Sequence, residues 1–122
     1  MKSTVLIVDD DPVTRKRLSA RLESEGFRTL VAANGREALS VLEDQIPSLI
    51  LIDLAMPVMD GYKLVQAIRC YEELASIPVV LMTEGDDDTA RLAQVPSVRK
   101  PVDNGNAFEA LRFTLQRLTA AA

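Results

Sequence analysis

An α/β domain, doubly wound around a parallel sheet, follows from three features of the 122-residue chain. Apolar runs of about four residues recur along it, the length and composition of strands buried on both faces. Amphipathic stretches with helical spacing separate these runs, and this βαβα alternation is that of a sheet covered by helices on both sides. Hydrophobic residues make up 48% of the chain, enough for one core. With no linker, repeat or low-complexity segment to interrupt the alternation, residues 1–122 read as a single domain.

The first strand is expected over Thr4–Val8, and Asp11-Pro12 then opens a helix, the acid as N-cap and the proline at N1 where its missing N–H costs nothing. That helix is read as turning Val13, Leu18 and Leu22 inward and stopping at Gly26. A second strand, Arg28–Ala32, leads to a helix that starts at Asn34, keeps Ala38, Leu39 and Leu42 on one face, and ends before Pro47. The third strand is Leu49–Ile52; Asp60-Gly61 then introduces a helix that uses Leu64, Val65 and Ile68. A fourth strand, Pro78–Met82, precedes a segment with room for only about two helical turns, Thr89–Gln94, so the fourth helix is expected to be short or irregular. The fifth strand is Ser97–Arg99. The last helix begins near Asn106 with Glu109 placed for a capping box, and buries Phe108, Leu111, Leu115 and Leu118. Ala120–Ala122 reads as a frayed end or the start of a linker.

Composition narrows the function classes. Net charge is −4 and the basic residues are spread along helices, which argues against nucleic-acid binding by this domain and favours protein partners. With one cysteine, Cys70, there is no internal disulfide, and without histidine a zinc site is not expected. The apolar stretch before Asp9 is too short for a signal peptide or a membrane span, so a cytoplasmic, reducing setting is the expectation.

The chemistry collects where the strands end. Asp9 and Asp10 follow the first strand, Asp53 the third, Thr83 the fourth and Lys100-Pro101 the fifth, and in open α/β sheets ligands bind at the carboxyl ends of the strands. Three carboxylates gathered there repel one another and call for a cation, and oxygen-only donors suit Mg²⁺ or Mn²⁺. Taken singly, Thr83 reads as a β-branched strand residue, Lys100 as a surface lysine and Asp11 as a helix cap; the joint occurrence at successive strand ends is what points to a site. The pattern Asp9-x-Asp11-x-Val13 also resembles the opening motif of haloacid-dehalogenase-type phosphatases, which implies an alternative in which Asp9 is the nucleophile.

The blocks Val5-Leu-Ile-Val-Asp-Asp-Asp-Pro12, Asp53-Leu-Ala-Met-Pro-Val-Met-Asp-Gly61, Pro78-Val-Val-Leu-Met-Thr83 and Lys100-Pro101, in this order, resemble the receiver domains of two-component response regulators over nearly the whole chain. The resemblance implies a flavodoxin-like three-layer sandwich with strand order 2-1-3-4-5. It also implies that Asp53 accepts a phosphoryl group from a sensor histidine kinase or histidine phosphotransfer protein, and that Asp9, Asp10, Asp53 and the main-chain carbonyl of Ala55 hold Mg²⁺. Thr83 would hydrogen-bond the phosphoryl group and Lys100 would pair with it, the signal passing to a downstream protein or output domain. Such a domain is an acceptor, not an enzyme acting on a substrate. Met56-Pro57 would fix the loop that aims the Ala55 carbonyl. Three departures stand out: Ser97 replaces the aromatic that receivers carry three residues before the lysine, Glu84 follows Thr83 where a small residue is common, and the interval from Thr83 to Lys100 is short. They imply slower transfer or an altered output surface, or a pseudo-receiver that binds partners without regulated phosphorylation.

Overall fold

In the computed structural model, residues 3–56, 59–84, 94–102 and 105–119 are described. Five strands, β1 (Thr4–Val8), β2 (Arg28–Ala32), β3 (Leu49–Asp53), β4 (Val79–Thr83) and β5 (Ser97–Arg99), form one sheet of order β2-β1-β3-β4-β5 with every pairing parallel. The helices are α1 (Pro12–Ser24), α2 (Gly35–Asp44), α3 (Gly61–Arg69) and a C-terminal helix, Gly105–Thr119. The order and the three layers agree with the expected flavodoxin-like plan.

Strand side chains alternate between faces, so each central strand supplies two cores at once. Leu6, Val8, Ile50, Ile52 and Leu81 face α2 and α3, meeting Ala38, Leu42, Leu64, Val65 and Ile68. Val5, Ile7, Leu49, Leu51, Val80 and Met82 face the other way, onto Leu18 and Leu22 of α1 and Phe108, Leu111 and Leu115 of the C-terminal helix. Burial on both sides is why these strands read as continuous apolar runs.

The helix starts follow their caps. Asp11, Asn34 and Asp60 each accept a backbone N–H from the first turn, of Val13, Glu37 and Lys63 respectively. At the other end of α1, Gly26 takes φ +95° while its N–H donates to the Glu23 carbonyl and that of Phe27 to the Leu22 carbonyl, a Schellman closure that turns the chain into β2.

Two local expectations are corrected. Val13 is 54% exposed, not inward: it precedes Leu18 by five residues, about 140° round the helix at 100° per residue, and so lies off the buried stripe. Asn106 does not cap the last helix, which begins at Gly105, and Glu109 pairs instead with Arg112 at 3.3 Å. Arg112 also reaches Glu25 at 2.7 Å, and with Arg21 it flanks the Phe108 ring, tying the C-terminal helix to α1. The expected fourth helix at Thr89–Gln94 falls almost wholly outside the described residues, as do Asp86–Asp88, Pro57, the Leu118 side chain and Ala120–Ala122.

Gly61 is fixed by a close approach. A Cβ there would lie 2.6 Å from the Asp53 carbonyl oxygen and 2.8 Å from the Leu54 Cα, both main-chain atoms that cannot move aside without shifting the end of β3. Gly61→Ala is therefore expected to lower stability by about 1–3 kcal/mol, read as a lower urea midpoint with an unchanged slope.

Candidate functional site

β1 and β3 are neighbours in register, Val8 opposite Ile52, so the residues that follow, Asp9 and Asp53, emerge side by side at the carboxyl edge. Asp9 is held by its own main chain: its N–H donates to the Ala32 carbonyl at 3.1 Å and its carbonyl accepts Nη1 of Arg15 at 2.7 Å. Its Oδ1 accepts the Asp11 N–H at 2.9 Å. Asp53 closes β3, with Oδ1 accepting the Ala55 N–H at 3.3 Å. Asp9 is fully buried and Asp53 is 2% exposed, whereas Asp10 faces solvent. One carboxylate oxygen from each of the three lies within 4.8 Å of the others.

Lys100 enters from the far edge of the sheet. Its N–H donates to the Thr83 carbonyl at 2.7 Å, which ties the residue after β5 to the end of β4, and the Lys100-Pro101 peptide that follows is cis. From there Nζ lies 3.1 Å from Asp9 Oδ2 and 3.2 Å from Asp53 Oδ2, a bridge between the two buried acids. Thr83 ends β4 buried at the same edge, with Glu84 beyond it exposed. The structure thus brings Asp9, Asp10, Asp53 and Lys100 into one cluster, places Ala55 beside Asp53 and sets Thr83 against the lysine's main chain. Ser97 is exposed on β5, three residues before Lys100.

Burial, then the charge of Asp9, pushes the Asp53 carboxyl up from 3.8 to about 6, against the pull of Lys100 and the Ala55 N–H. Burial pulls the Lys100 ammonium down, but the hydrogen bond to Asp9 and the charges of Asp53 and Asp9 outweigh it and hold the group above its ordinary value. Asp11 is held below the usual carboxylate range by the Thr14 hydroxyl and the Val13 N–H, in keeping with its capping role.

The donor set fits a hard divalent cation. All three side chains are oxygen donors, two buried and one open to solvent, an arrangement that leaves positions for water. Asp9 Oδ2 is buried, and the contact it makes among the described residues is with the Lys100 ammonium at 3.1 Å.

Arg15 is the residue that sequence reasoning missed. It stands in the basic run Arg15-Lys16-Arg17, which reads as a solvated helix face, yet as the fourth residue of α1 it reaches back to the end of β1. The available signal is its spacing, one turn into a helix that begins three residues after Asp9.

Comparison with known proteins agrees with this geometry. The family model for the response regulator receiver domain matches residues 5–112, and the chain belongs to that family. It is 40% identical over 104 residues to an uncharacterized 14.6 kDa protein of Leptolyngbya boryana, covering 81% of this chain and 79% of that protein. It is also 32% identical to a probable transcriptional regulator, ycf27, of Guillardia theta, covering 99% of this chain but only 48% of the relative, so the chain spans about half the length of that regulator. Among solved structures, the receiver domain of a Pseudomonas aeruginosa sensor histidine kinase, with a magnesium ion coordinated in its active-site cleft, superposes with a TM-score of 0.84 at 30% identity, covering 98% of this chain and 99% of that one. The chemotaxis protein CheY4 of Vibrio cholerae also gives 0.84 at 30% identity, covering 97% of this chain and 99% of that one. Among the described residues, no helix is long and apolar enough to cross a membrane.

Proposed function

We propose that residues 1–122 act as one receiver unit, alone or within a longer cytoplasmic protein, and that Asp53 is its phosphoacceptor. The observation that supports this most is Asp53 itself: a carboxylate 2% exposed at the end of a central strand, 3.2 Å from an ammonium and within 4.8 Å of two further acids. An Asp53 oxygen attacks the phosphorus of a phosphohistidine on a sensor kinase or phosphotransfer protein; the P–N bond breaks, imidazole leaves, and an aspartyl phosphate forms. Attack by water on phosphorus later breaks the P–O bond and regenerates the carboxylate. With its pKa at about 6, Asp53 is ionised and nucleophilic at neutral pH.

The remaining residues stabilise charge on the transferring group, which is where most of the catalysis of phosphoryl transfer lies. Asp9, Asp10, Asp53 and the Ala55 carbonyl would hold Mg²⁺, or Mn²⁺ in its place, and the ion would neutralise charge on the phosphoryl oxygens. Lys100 pairs with the phosphoryl group and the Thr83 hydroxyl donates to it, and the rearrangement of these two residues passes the state to a downstream protein or output domain.

Mass spectrometry after incubation with acetyl phosphate and Mg²⁺ tests the assignment. One acid-labile phosphoryl group is expected on the wild type and none on Asp53→Asn. Label that survives in Asp53→Asn and vanishes in Asp9→Asn would point to the phosphatase-type chemistry, and absence of label with any donor to a pseudo-receiver.

A further inference from the structure

An apolar groove lies at the opposite end of the sheet from the acid cluster. The helices run antiparallel to the strands they cover, so the C-terminal ends of α2 and α3 sit at the amino edge of the sheet. There the last turns of α2, the residue Ile46 beyond it and the chain that leaves α3 enclose this groove of about 300 Å³. Leu42 and Leu74 form its buried floor, with Leu39 partly buried beside them. Ile46 and Tyr71, 60% and 52% exposed, stand at its mouth, two of the few large apolar side chains left to water.

Charge decides what fits there. Glu43 and Glu73 line the groove, their exposed neighbours Asp44 and Glu72 extend the acidic border, and among the described residues no lysine or arginine lines it. None of these four carboxylates makes an ion pair or hydrogen bond in the described structure. An apolar cleft with an uncompensated negative rim attracts apolar anchors flanked by positive charge, and it disfavours a second copy of itself, because a two-fold contact sets rim against rim. Tyr71 adds a large, stiff contact surface of the kind enriched at interfaces.

We propose that this groove binds a basic amphipathic helix of a partner protein, with leucine-like side chains on Leu42 and Leu74 and lysine or arginine facing Glu43 and Glu73. The surface is separate from Asp53, so the proposal stands whether or not that residue is phosphorylated.

The test uses the ¹⁵N-labelled chain titrated with a synthetic Leu/Lys amphipathic peptide of about 14 residues, on the order of four helical turns, and with a matched peptide carrying Glu for Lys. Saturable amide shifts are expected at Leu39, Ile46, Tyr71 and Leu74 with the Lys peptide only. Ile46→Ser should weaken binding about tenfold at an unchanged melting temperature, with Tyr71→Ser as the second variant should the first lose stability. Glu43→Lys with Glu73→Lys should reverse the preference between the peptides. Shifts centred on Asp10 and Asp53, binding indifferent to Ile46→Ser and Tyr71→Ser, or a self-association that these variants abolish would each overturn the proposal, the last in favour of a second copy as occupant.

Discussion

At pH 8 with divalent cations chelated, Asp53→Asn melts on the order of 10 °C above the wild type. The carboxyl ordinarily titrates near 3.8 and in the folded protein at about 6, first because it is buried and then because Asp9 faces it. Below pH 3.8 the group is protonated in both folded and unfolded chains and contributes nothing. Between 3.8 and 6 the folded state holds more proton than the unfolded state, so this contribution to stability falls as pH rises. Above about pH 6 the whole penalty is present, about 3 kcal/mol. Asparagine keeps an oxygen for the Ala55 N–H and removes the charge, so the variant loses the penalty along with its pH dependence. Calorimetric melting of both proteins between pH 4 and 8 reads the effect: the gap should be widest at pH 8 and close toward pH 4. A wild type that melts higher than Asp53→Asn at pH 8 would mean that the attraction of Lys100 outweighs burial.

Part of the site was legible in the sequence and part was not. Apolar runs with periodicity and caps such as Asp11, Asn34 and Asp60 are local signals, and they located the five strands and the starts of the four described helices to within a residue or two. Strand ends in a parallel sheet share one edge, so the meeting of Asp9, Asp53, Thr83 and Lys100 could be anticipated from chain order alone. What depends on how a helix is rotated or how far a side chain reaches was not available. Val13 looked like a core residue until the turn of α1 carried it 140° from Leu18. Arg15 looked like surface charge until α1 brought it against the Asp9 carbonyl. The groove beside Ile46 and Tyr71 is formed by α2 and by the segments that follow α2 and α3, distant in sequence, and no local pattern announces it.

Lys100→Ala should produce the opposite stability change and a larger response to metal. The ammonium bridges Asp9 Oδ2 and Asp53 Oδ2 at 3.1 and 3.2 Å; the two acids are almost wholly buried and the lysine side chain is 16% exposed. Removing one partner of a buried ion pair strands the other charges, at a cost of about 3–5 kcal/mol. Without divalent cations at pH 8 the variant should therefore melt on the order of 10 °C or more below the wild type. Acidification should narrow the deficit, because protonating Asp53 relieves its repulsion with Asp9. Millimolar Mg²⁺ stabilises whichever folded state binds it more tightly. In the wild type it must share the two carboxylates with an ammonium already among them; in Lys100→Ala it meets them uncompensated. The rise in melting temperature with Mg²⁺ should accordingly be larger in Lys100→Ala than in the wild type, and smaller in Asp10→Ala, which keeps the lysine but loses the solvent-facing donor. Equal responses in wild type and Lys100→Ala would show that lysine and metal do not compete for the carboxylates. A larger response in the variant would make Lys100 the built-in counter-cation of the resting site, released toward an incoming phosphoryl group when metal takes over the acids.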